Sequence, residues 1–87
     1  MATVEYSFFS VVTGLRPGGV IGVTWSHRGF DYGDAIAVTA HPIRAVLAVQ
    51  NLRVFREGSN VRLAFDVANV GSRAEIAFGL GFGWVDR

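Results

Sequence analysis

The chain has 87 residues, 51% of them hydrophobic, with no cysteine and a formal net charge of +1. A single domain spanning residues 1–87 is expected; it is small for that much apolar surface and has no disulfide to staple it, which points to a partner chain. All eight basic residues are arginine, spread from Arg16 to Arg87; that is too little positive charge for a nucleic-acid binder that works by phosphate neutralisation.

No segment has a 3.6-residue apolar period, and β-branched and aromatic residues dominate, so the pattern predicts six or seven strands and no helix of note. The N-terminal residues already read as a strand, without the basic stretch, long apolar core and cleavage site of a signal peptide. No apolar run reaches the roughly 18 residues of a membrane helix. These absences leave the location open, the cytoplasm and non-classical export both being compatible with them.

The first strand, residues 3–14, carries Tyr6, Phe8 and Val12 on one face and Phe9 and Val11 on the other. "LRPGG" (15–19) is a turn, since proline presets φ and glycine accepts positive φ. The second strand, 20–26, alternates Ile21, Val23 and Trp25 with Gly22 and Thr24. The loop "SHRGFDYGD" (26–34) follows, and then a third strand, 35–41, with Ile36 and Val38 inward and Ala35, Ala37 and Thr39 outward. Pro42 ends or kinks it, because proline cannot donate to a ladder. The stretch 43–57 is longer than one regular strand and calls for a bulge or a change of sheet.

A two-residue loop at Gly58–Ser59 sets Glu57 opposite Asn60. That register places Val54 against Leu63 and Leu52 against Phe65, with Val61 and Val67 on the same apolar face. The other face pairs Phe55 with Arg62, Arg53 with Ala64 and Asn51 with Asp66. "NVGSRAE" (69–75) turns the chain into a last strand, residues 74–86. Short strands, regular turns and no βαβ signal predict an all-β fold: a single antiparallel β-sandwich, immunoglobulin-like or jelly-roll-like.

Within this stretch, "LRVFREGSNVRLAFDVANVGS" (52–72) resembles the paired strands of immunoglobulin-like adhesion and surface modules. Phe65, Val67, Asn69 and Gly71 supply the "F-x-V-x-N-x-G" that ends one strand before the terminal hairpin. The cysteine pair of true immunoglobulin domains is missing. The resemblance implies a β-sandwich and a non-catalytic binding or structural role.

Residues that could do chemistry are few. His27 and His41 lie on separate elements, and Ser26 and His27, as neighbours on an extended chain, point to opposite faces. Asp31 and Asp34 in "DYGD" supply two carboxylates where calcium takes about six to eight oxygens, so a metal-free turn is the simpler reading. No enzyme, metal or cofactor is expected. Trp25, His27, Arg28, Asp31, Tyr32 and Asp34 together make the richest binding vocabulary in the chain, one suited to a carbohydrate. The competing reading puts Trp25 in the core, in phase with Ile21 and Val23.

The last strand contains "FGLGFGW" (78–84): Phe78, Leu80, Phe82 and Trp84 alternate with Gly79, Gly81 and Gly83. Small residues at Ala77, Gly79, Gly81, Gly83, Ala35 and Ala37 leave two strands without an ordinary solvated face. They either permit strong sheet coiling or allow close contact with another surface, flanked by Phe8 or Phe9 and Phe55. A membrane pore is not expected, because a closed barrel needs many strands of this kind and only one is evident. The sequence thus predicts a non-catalytic structural or interaction module that forms a homo-oligomer through its small-residue face. The alternative is a small lectin-like domain that binds a glycan through the 25–34 loop.

Overall fold

The computed structural model describes residues 3–26 and 35–86. They form β1 (Thr3–Val11), β2 (Val20–Trp25), β3 (Ala35–Pro42), β4 (Leu47–Glu57), β5 (Asn60–Asn69) and β6 (Phe78–Asp86), with no helix among them. The strands make two antiparallel three-stranded sheets, ordered β1-β6-β3 and β2-β5-β4. The first and last strands stop short of their expected extents: β1 ends at Val11, and β6 begins at Phe78.

The alternation in β6 holds. Phe78, Leu80, Phe82 and Trp84 are buried on its inner face, opposite buried Leu63, Phe65 and Val67 of β5. The two central strands thus supply nearly all of the fully buried core. Edge strands add half-buried Val11, Ile21, Val23, Trp25, Ile36, Val38, Leu47 and Val49 around it. The Trp25 ring of β2 stacks on Phe82 of β6 at 4.3 Å and 6°, and Phe65 meets Phe82 edge-on at 5.8 Å.

The β4–β5 register matches expectation from Glu57↔Asn60 to Arg53↔Ala64. Gly58, with φ 62°, takes the positive-φ first position of the two-residue turn. Beyond Arg53 the register shifts, and Gln50 rather than Asn51 lies opposite Asp66. Asn51 adopts φ 55° as the bulge residue, and its Nδ2 still donates to Asp66 Oδ2 at 2.8 Å. The extra residue keeps Leu52 and Val54 on the inner side, yet both remain about half exposed.

The connections 12–19, 43–46 and 70–77 meet at one end of the sheets, tied by two buried polar side chains, Asn69 and Glu75. Asn69 Nδ2 donates to the carbonyls of Leu15 (2.9 Å) and Arg73 (2.8 Å), and its Oδ1 accepts from Gly71 N–H at 3.0 Å. Gly71 has no room for a side chain, since a Cβ there would lie 2.9 Å from Val46 N. The Glu75 carboxylate accepts from three successive N–H groups, Ile43 (2.9 Å), Arg44 (3.1 Å) and Ala45 (3.1 Å), and from Ile76 (3.2 Å). Burial pushes this carboxyl up; the N–H donors of Ala45, Arg44, Ile43 and Ile76 together prevail and hold it below its ordinary 4.5.

Removing the Asn69 side chain takes away the partner of the Arg73 carbonyl and of the Gly71 N–H, while the Leu15 carbonyl keeps the Glu75 N–H, so Asn69→Ala is expected to cost about 2 kcal/mol in urea unfolding. Because the Glu75 pKa is lowered by folding, the stability it contributes is present at neutral pH. It is lost as pH falls from 4.5 through the lower folded value. Urea midpoints measured against pH should show Glu75→Gln destabilised at pH 7 and without this part of the acid dependence. Coincident curves for the two proteins would refute the assignment.

Candidate functional site

The outer faces of the two sheets differ in kind. On β2-β5-β4 the outward positions include Gln50, Arg53, Arg62 and Asp66, with Arg62 Nε 3.4 Å from Glu57 Oε1. On β1-β6-β3 the register aligns Val4, Tyr6, Phe8 and Ser10 of β1 with Val85, Gly83, Gly81 and Gly79 of β6. Across β6 stand Ala35, Ala37, Thr39 and His41 of β3. No carboxylate, arginine or lysine occupies any of these positions.

The glycines answer to their neighbours. A side chain at Gly79 would collide with the Phe8 ring, although Phe8 pairs with Gly81, so the ring leans along β6 over the next glycine. At Gly81 the space for a Cβ is closed by Thr39 Oγ1 (2.8 Å), Tyr6 OH (3.1 Å) and His41 Nε2 (3.4 Å). Tyr6, paired with Gly83, leans the same way. Side chains from both flanking strands therefore meet over the central one: the Phe8 and His41 ring centroids are 5.7 Å apart. Thr39 Oγ1 and His41 Nε2 are hydrogen-bonded at 2.9 Å. Tyr6 and Phe8 still expose 66% and 51% of their surface.

The expected flanking residues are partly reassigned. Phe8 borders the glycine track, but Phe9 lies on the inner face, edge-on to Phe82 at 5.8 Å, and Phe55 belongs to the other sheet. Ala37 is exposed on the track's border, and Ala77 is half-buried just before β6. Of the loop candidates, Trp25 stacks in the core. His27, Arg28, Asp31, Tyr32 and Asp34 lie outside the described residues. Tyr6, Thr39 and His41 were not singled out from the sequence as a group; they converge only through register with β6.

A hydroxyl bonded to an imidazole has the first two parts of a nucleophile–base–orienter arrangement. Among the described residues no carboxylate meets the His41 ring, and Phe8 packs beside it. The chemistry on this face is aromatic and hydroxyl, with one imidazole. No known protein family, curated protein or solved structure matches the chain.

Gly79→Ala is expected to cost about 1–3 kcal/mol by overpacking against Phe8. In a double-mutant cycle, Phe8→Ala should relieve at least ~1 kcal/mol of that cost. Additive effects would mean that the ring does not cover Gly79.

Proposed function

We propose that this chain is a non-catalytic structural or interaction module that self-associates through the outer face of β1-β6-β3. The observation that carries the reading is a sheet face whose aligned outward positions hold no carboxylate, arginine or lysine. Solvated faces ordinarily alternate apolar-in with polar-out, and charged residues are depleted at interface centres, where Tyr and Phe are enriched. Gly79, Gly81 and Gly83 keep the centre low, Tyr6 and Phe8 supply its apolar contact area, and Ala35, Ala37 and Thr39 form a small-residue border. Ala77 lies just before β6 and extends the small-residue run.

In the same reading the fold is a β-sandwich on a jelly-roll path. The orders β1-β6-β3 and β2-β5-β4 favour that path over an immunoglobulin one, because every connection except the β4–β5 hairpin passes from one sheet to the other. The carbohydrate alternative would draw on His27, Arg28, Asp31, Tyr32 and Asp34, since Trp25 gives its ring face to Phe82.

Light scattering over a dilution series should find a discrete species larger than the 9.4 kDa chain. Ala37→Arg puts a charge at an exposed position on the proposed face, and each copy would bring its own. It should weaken association by roughly ten-fold or more while leaving the circular dichroism spectrum unchanged. A clean monomer at high concentration would end this reading.

A further inference from the structure

The connections at the closed end carry apolar surface that the core does not require. Leu15 and Ala45 are their buried apolar residues, whereas Val12, Ile43, Val46, Val70 and Ile76 are between 52% and 86% exposed. Turns are usually built from Gly, Pro, Asn, Asp and Ser, so five large aliphatic residues on three adjoining connections form a patch that needs an explanation. Arg16, Arg44 and Arg73 stand among them, exposed and without an ion pair among the described residues. The acidic residue of these segments, Glu75, is buried and spent on backbone N–H groups. The exposed charge of these three connections is therefore all positive.

The patch is also held in place. Leu15 and Glu75 exchange backbone hydrogen bonds at 3.0 and 2.9 Å, Gly18 N–H donates to Asn69 O at 2.9 Å, and Val70 N–H donates to Val46 O at 2.9 Å. With the Asn69 and Glu75 side chains, these bonds make one unit of the three connections.

We propose that this end docks on an anionic phospholipid surface. The aliphatic tips enter the boundary between headgroups and acyl chains, and the three arginines pair with lipid phosphates. Area argues for lipid over protein. The molecule measures 43 × 24 × 17 Å. Strands of up to eleven residues must run along the long axis, which leaves an end cross-section of 24 × 17 Å. In projection that is on the order of 400 Å², a small footprint beside the roughly 800 Å² of accessible surface that each partner buries in a standard protein interface. A bilayer sets no such footprint; interfacial binding scales with inserted apolar area plus attraction to anionic lipid. Charge argues against a second copy, since an end-to-end pair would set three arginines against three. Arginine also suits the depth: its stem lies among apolar neighbours while the guanidinium reaches out to phosphate in a forked contact.

The test is co-sedimentation of the full chain with phosphatidylcholine vesicles, with and without phosphatidylserine, in about 0.1 M salt. Binding is expected to the serine-lipid vesicles, weakening roughly five-fold for each of Arg16→Gln, Arg44→Gln and Arg73→Gln. The double variant Ile43→Ser/Ile76→Ser should lose binding by more than about ten-fold. Val54→Ser, exposed far from this end, should bind as the parent does. Circular dichroism of every variant guards against unfolding. Failure to bind serine-lipid vesicles at low salt would overturn the proposal. Full retention by the serine double variant would do so too, leaving a purely electrostatic contact better matched to an acidic protein.

Discussion

A buried carboxylate must find donors or stay protonated, and at Glu75 the fold is arranged around that requirement. Three successive N–H groups after β3 turn toward one carboxylate that precedes β6, so the crossing from β3 to β4 is fastened to the crossing from β5 to β6. Asn69 does the same between the β1–β2 turn and the end of β5. These two side chains close the end of the core with satisfied polar groups and leave the aliphatic residues of the same connections facing outward. The surface chemistry of that end thus follows from the need to satisfy its interior.

The second organising element is β6. Its inner face supplies four buried residues, and its outer face supplies almost nothing, which brings the side chains of β1 and β3 together over it. One strand thus produces both the densest part of the core and the least polar part of the surface. The outer face of β2-β5-β4, by contrast, carries arginines, a carboxylate and the Arg62–Glu57 ion pair.

What was legible in the sequence was what depends on nearest neighbours. The alternation of β6, the turn at Gly58–Ser59 and the pairing beside it are local, and they stand in the structure. The bulge at Asn51 was anticipated only as a need somewhere in 43–57; its position depends on side-chain bonding to Asp66 and on which face the core demands. The resemblance around 52–72 drew attention to Asn69 and Gly71. Their partners, Leu15 and Val46, belong to other turns, and Leu15 is 54 residues away from Asn69. Glu75 read as an ordinary turn residue because nothing local reveals burial. The His41–Thr39–Tyr6 grouping was hidden for the same reason: it exists only once β1 and β3 are both registered on β6.

The placement of β6 also has a kinetic side. It is the last of the six strands in chain order and the middle strand of its sheet, so neither β1 nor β3 has a ladder partner in that sheet until β6 has been made. The β4–β5 hairpin can close early on short-range contacts, and β2 can add to it. The β1–β6 pairing spans most of the chain and carries the loop-closure cost of non-local contacts, which slows folding. In that interval the aromatic residues of β1 sit on an unpaired strand, the state in which a growing chain is most exposed to pairing with its neighbours. A sheet whose central strand comes last in the chain leaves both of its edge strands without a ladder partner there until that strand joins them.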